Sequence, residues 1–150
     1  MCELFYFFSA FLKRIFVDSD SKNKKESVKY KGSVTLYFGV RDTKSILYLN
    51  ELESIHQRFP NQFRYLCARS REQFNIRSGG KLYVQDLIED DVDFIYDQLN
   101  NGGHIYFSGL KKMMFGLHEM FEKTSEERKL PFSELLKHLK CSGQWHSDLY

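Results

Sequence analysis

The chain has 150 residues, 42% hydrophobic and 28% charged, the make-up of a compact folded domain and not of a disordered or collagen-like chain. Its formal charge of +2 is small and evenly spread, which argues against nucleic acid as a partner and leaves room only for a local anion site. Three cysteines, Cys2, Cys67 and Cys141, make no Cys-x-x-Cys pair, so they support neither a disulfide framework nor a zinc site and favour a reducing compartment.

Leu4, Phe5, Phe8, Phe11, Leu12, Ile15 and Phe16 recur at helical spacing, which predicts an amphipathic helix over residues 3–16. The stretch has the apolar centre of a signal peptide, but Glu3 and the late Lys13-Arg14 pair are wrongly placed for one. It is also shorter than the ~20 apolar residues of a membrane span. Residues 17–32 are polar and lysine-rich and read as an exposed loop, the alternative being a docking site for an acidic partner.

Val34 to Val40 is rich in β-branched and aromatic residues and reads as a buried strand. Ile46, Leu49, Leu52, Ile55 and Phe59 follow at helical spacing and stop before Pro60, and Gln62 to Ala68 returns to strand character. That alternation predicts a parallel sheet.

The second strand delivers the chain to Ser70–Gln85, where Ser70, Arg71, Lys81 and Tyr83 gather a hydroxyl, a guanidinium, an ammonium and a phenol around a Gly79-Gly80 turn. Open parallel sheets bind ligands beyond the carboxyl ends of their strands, so such a loop points to a phosphate-bearing ligand.

Leu87, Ile88, Val92, Ile95 and Leu99 predict one further helix, stopped by Asn100-Asn101-Gly102-Gly103. Its carboxylates Glu89, Asp90, Asp91 and Asp93 read as a solvated face rather than metal ligands. Ile105 to Ser108 reads as a short strand, and Met113, Met114, Leu117, Met120 and Phe121 as the core stripe of the next helix. Pro131 opens a last helix, and the alternation of Gln144 to Tyr150 suits a final strand. His118-Glu119 lacks the second histidine of a zinc-protease motif, and neither a nucleophile elbow nor a Gly-x-x-x-x-Gly-Lys phosphate loop is present.

Five blocks occur in order: Gly39-Val40 with Ser45-Ile46-Leu47-Tyr48, Ser70-Arg71-Glu72-Gln73, Lys81-Leu82-Tyr83-Val84-Gln85, Gly109-Leu110-Lys111, and Gln144-Trp145 to Tyr150. Over residues 34–150 this resembles the NADP-binding, C-terminal domain of plant-type ferredoxin–NADP(+) reductase, with residues 1–33 as an added amphipathic helix and polar loop. The resemblance implies an α/β fold, a Rossmann-like parallel sheet flanked by helices.

It further implies that Ser70, Arg71, Lys81 and Tyr83 hold the 2′-phosphate of NADP(H), with Gln85 near the adenosine and Gly109 and Leu110 along the cofactor path. Ser108, Asp148 and the terminal Tyr150 would lie at the nicotinamide. Ser108 stands where the family has a cysteine, and Asp148 where it has a glutamate. Cys2 to Phe8 occupies the place of the family's Gly-Thr-Gly-x-x-Pro pyrophosphate turn and lacks its chemistry, since Glu3 puts a negative charge where an anion would bind.

The resemblance therefore leads us to expect a sheet without its first, central strand, in a truncated chain or one with a misassigned start, lacking the FAD domain and inactive alone. The complete enzyme would pass electrons between NADP(H) and ferredoxin through FAD. By resemblance its compartment is the plastid, with the cytoplasm as alternative. The rival expectation is a non-catalytic nucleotide-binding or interaction module derived from that domain, and a flavodoxin-like electron partner is a further variant. The sequence leaves the oligomeric state unknown.

Overall fold

The computed structural model describes residues 31–127 and 131–149, so the helix expected over 3–16, most of the 17–32 loop, Cys2 to Phe8 and Tyr150 lie outside the described residues. The described residues fall into two compact units, divided between Val84 and Gln85.

In the first unit, strand β1 (Val34–Val40) leads through helix α1 (Leu49–Arg58) to strand β2 (Phe63–Arg69). The strands pair in parallel with Val34 opposite Phe63 and Val40 opposite Arg69. Parallel strands need a crossover, and α1 supplies it by turning Leu52 and Ile55 against Phe38 and Phe63 to form the core, with Leu36, Phe59 and Tyr65 around it. His56 fixes the helix to the returning strand, its Nδ1 donating to the Phe63 carbonyl at 2.8 Å.

Two local details go beyond the expected helix. The connection after β1 is a short 3-10 turn over Thr43–Ser45, capped by Asp42, which accepts from Ser45 N at 3.0 Å and from its Oγ at 2.7 Å. Tyr48 then takes a left-handed conformation, φ 59°, as the residue before α1.

The second unit orders helices α2 (Val84–Asp90, starting one residue before the division) and α3 (Val92–Asn100), strand β3 (Ile105–Gly109), helices α4 (Lys111–Glu127) and α5 (Phe132–Cys141), and strand β4 (Trp145–Leu149). The single helix expected through Leu87–Leu99 is broken at Asp91. Glu89 and Asp90 are unfavourable at the negative carboxyl end of α2, whereas Asp91 and Asp93 suit the positive amino end of α3, so the acidic run favours a break at that point. Pro131 caps α5 from just outside rather than forming its first turn.

β3 and β4 are parallel, with Ile105 opposite Trp145 and Gly109 opposite Leu149. Trp145 packs edge-on to Phe121 and Phe132, whose rings stack 5.2 Å apart, and Met114, Leu117, Met120 and Leu139 complete the buried layer. The methionine stripe is thus core packing, with Met113 at its exposed margin.

Helices α3 and α5 end alike. Gly102 at φ 82° and Gly143 at φ 70° take the left-handed turn, while Gly103 N donates to Gln98 O and Gln144 N to the equivalent carbonyl in α5, Leu139 O, each at 2.8 Å. Gln144 then joins the two ends. Its buried amide donates to Leu99 O at 2.9 Å and Gly103 O at 2.8 Å and accepts from Ser142 Oγ at 2.7 Å, which sets the starts of β3 and β4 side by side.

The described strands form two separate two-stranded parallel sheets, β1–β2 and β3–β4, and among the described residues no further strand joins either. This is the α/β, Rossmann-like domain expected from the sequence.

Candidate functional site

The first cluster of expected site residues is built at the carboxyl ends of β1 and β2. The parallel ladder runs on past the strands, Ser70 N donating to Val40 O at 3.0 Å and Arg71 N to Arg41 O at 2.8 Å. The Ser70 hydroxyl lies 3.4 Å from the same Val40 carbonyl, a weak bond that a better acceptor would displace. Arg71 is exposed beside the turn.

The turn itself is tied twice. Glu72 accepts from Thr43 N at 3.0 Å with one carboxylate oxygen and from Thr43 Oγ1 at 2.6 Å with the other. Arg69 Nε sits 3.3 Å from Glu72 Oε2, near enough for an ion pair but without hydrogen-bond alignment. Gln73 folds back so that its side-chain oxygen accepts from Arg69 N at 2.8 Å.

From Gln73 the chain makes a narrow excursion and returns. Leu82 N donates to Gln73 O at 3.1 Å, Phe74 pairs antiparallel with Lys81, and buried Asn75 holds the tip by accepting from Arg77 N at 2.8 Å. Lys81 and Tyr83 come back exposed on the returning limb, and the adjoining Val84 lies against Gly39 at the end of β1, 3.6 Å from where a Cβ on that glycine would sit. Ser70, Arg71, Lys81 and Tyr83 are thus carried on one hydrogen-bonded loop system around the carboxyl ends of β1 and β2.

The carboxylates here remain ionised. The Thr43 hydroxyl and backbone N–H hold Glu72 below its ordinary 4.5, and the Ser45 hydroxyl holds Asp42 below its ordinary 3.8, with Arg41 and Arg71 adding to the effect on Asp42. In both groups the hydrogen bonds outweigh the opposing effect of burial, so these are shifts of local geometry.

The second cluster lies in the second unit at the carboxyl ends of β3 and β4. Ser108 and Asp148 are register partners, so their side chains share one face of the sheet, with the stacked Tyr106 and His146 rings, 4.3 Å apart, two residues earlier. Ser108 Oγ is buried and has no hydrogen-bond partner among the described residues, while Asp148 is exposed. An unmet buried hydroxyl costs about 1–3 kcal/mol unless a ligand satisfies it. Gly109 is buried and Leu110 exposed where β3 gives way to α4. Gln85, half-buried at the start of α2, has its amide nitrogen 3.9 Å from where a Cβ on Gly116 would be. Tyr150 lies outside the described residues.

Among the described residues no group of three or more His, Cys, Asp or Glu side chains could hold a metal ion, and no helix is long and apolar enough to cross a membrane.

Residues 7–119 match the family described as Oxidoreductase NAD-binding domain. The chain belongs to that family. It is 41% identical over 143 residues to the chloroplastic ferredoxin–NADP reductase of Chlamydomonas reinhardtii, covering 95% of this chain and 39% of that protein. It is 38% identical over 144 residues to the ferredoxin–NADP reductase of Spirulina sp, covering 95% of this chain and 47% of the relative. Among solved structures it resembles the ferredoxin-NADP+ reductase from Plasmodium falciparum with 2′P-AMP, at a TM-score of 0.62 and 27% identity, covering 93% of this chain and 46% of that one. The chain therefore spans less than half the length of each of these relatives. The resemblance read from the five sequence blocks holds in this NAD-binding-family domain.

Sequence reasoning assigned no role to Thr43, Glu72, Gln73, Asn75 or Gln144. Glu72 and Gln73 stand inside a quoted block, but the Thr43 contact crosses 29 positions and has no local signature. Gln144 also stands inside a quoted block, and could have been singled out as an amide placed directly after the helix-ending Gly143 and before a strand.

Proposed function

We propose that this chain is the NADP(H)-binding half of a ferredoxin–NADP(+) reductase, with the first cluster taking the 2′-phosphate and the second the nicotinamide end. The observation that carries the reading is the loop at the carboxyl ends of β1 and β2, where Arg71 and Lys81 are exposed beside Ser70 and Tyr83. A 2′-phosphate is close to a dianion, and a guanidinium, an ammonium and two hydroxyls are the donors that suit it. The related Plasmodium falciparum reductase, solved with 2′P-AMP, supports the same ligand fragment.

In this reading Gln85 lies toward the adenosine, Gly109 and Leu110 along the cofactor path, and Ser108, Asp148 and Tyr150 toward the nicotinamide. The buried, partnerless Ser108 hydroxyl fits a group that has a hydrogen bond to give when a ligand arrives. NADP(H), when bound, supplies the hydride chemistry. The chain's own residues bind and orient it: Arg71 and Lys81 offset the phosphate charge, and Ser108 and Asp148 offer a donor and an acceptor on one sheet face. FAD and ferredoxin belong to the complete enzyme, and the plastid to its compartment, on the strength of the chloroplastic relatives.

Thermal unfolding with added nucleotide tests the reading. A ligand that binds the native state raises the midpoint, so 2′-AMP should raise it and adenosine at the same concentration should not. No shift with 2′-AMP from well-folded protein contradicts it and favours an interaction module instead.

A further inference from the structure

We propose that Glu72, anchored on Thr43, is the positioning residue that holds Arg71 for the 2′-phosphate, so that this pair sets the preference for a phosphorylated over a bare ribose. The proposal rests on the phosphate-site reading above and concerns two residues that reading does not use. Arg71 is exposed at the end of a flexible stem, and its aim depends on the backbone beneath it. That backbone is held on the near side by the Arg71 N to Arg41 O bond at 2.8 Å. On the far side it is held by the next residue, whose two carboxylate oxygens take both donors of Thr43, at 3.0 and 2.6 Å. The turn after β1 and the turn after β2 are thereby locked as one piece.

A carboxylate next to an anion site is at first sight the wrong charge. Simple Coulombic reasoning says that removing Glu72 should strengthen phosphate binding. The geometry argues for the opposite sign, because the Glu72 charge is already met by the Thr43 N–H, the Thr43 hydroxyl and the Arg69 guanidinium at 3.3 Å. At an exposed position water and salt screen what repulsion remains. The two-pronged anchor, by contrast, is a charge-assisted contact with fixed geometry. The positioning role and the electrostatic role therefore predict changes in opposite directions.

The test is an NMR titration of the 150-residue chain with 2′-AMP and with adenosine, for wild type, Thr43→Val, Glu72→Gln and Glu72→Ala. Thr43→Val removes the hydroxyl donor while leaving every charge in place. It and Glu72→Ala should weaken 2′-AMP about tenfold with adenosine unchanged, and Glu72→Gln, which keeps an acceptor for the Thr43 N–H, should lose less than Glu72→Ala. Unchanged or tighter 2′-AMP binding in Glu72→Ala, with wild type binding normally, overturns the positioning role and leaves the phosphate site standing. An equal loss for adenosine also overturns it, since that is general damage to the fold. Wild type that does not bind 2′-AMP overturns the phosphate site itself and this proposal with it.

Discussion

Glu72 in the first unit and Gln144 in the second each tie together the loops that flank a pair of parallel strands, one at the carboxyl ends of β1 and β2, the other at the amino ends of β3 and β4. Glu72 works in the open, its side chain 41% exposed, whereas Gln144 is 8% exposed and holds two main-chain carbonyls from inside the fold. The difference follows the polarity of parallel sheets. Ligands gather at carboxyl ends, where a tether must leave polar groups accessible, and amino ends are free to be sealed for stability. Substitutions at the amino end should therefore cost folding, and substitutions at the carboxyl end should cost binding.

The largest effect on stability should come from Gln144→Leu. It strips the Gly103 carbonyl of its side-chain partner and takes a second bond from Leu99, so urea unfolding should show a loss of about 3 kcal/mol. Loss of 2′-AMP affinity without loss of stability would break the comparison. Gly103→Ala should come next, at about 2 kcal/mol in the same assay, because the new Cβ would stand 2.6 Å from the Gln98 carbonyl oxygen, which is backbone and cannot swing away. Stability equal to wild type would show that the α3 terminus is looser than its bonds indicate.

The smallest effect is a pH dependence at the other end. Glu72 is held below its ordinary 4.5 by Thr43, so the unfolded chain takes up that proton first as the pH falls. Its stabilising contribution is complete above 4.5 and is lost as the pH drops through its lowered value in the fold. Unfolding midpoints of wild type and Glu72→Gln should differ near neutrality and converge in acid. A difference that grows in acid would reverse the sign and exclude the Thr43 contact as its source.

Much of the fold was legible because its signals are local. The β-branched run Val34–Val40, the Leu52 and Ile55 spacing and the glycines after Asn101 and Ser142 each mark an element or its end, and the strands stand within a residue of expectation. The break at Asp91 was missed because apolar spacing alone continues through it, and only the helix-end electrostatics of four carboxylates in five positions disfavours one helix. At the candidate site the donors were legible and their supports were not. Arg71 and Lys81 announce themselves by charge, whereas the partnership of Glu72 with Thr43 and the reach of Gln144 to Leu99, 45 positions away, exist only once the strands have paired.

The central claim is that the loop at the ends of β1 and β2 recognises a ribose 2′-phosphate through Arg71. Calorimetric titration of wild type and Arg71→Ala with 2′-AMP tests it most directly. The account predicts that the substitution weakens 2′-AMP by about 2 kcal/mol while the urea midpoint stays where it was, because an exposed guanidinium supports the ligand and not the fold. Equal affinity of the two proteins for 2′-AMP would contradict it.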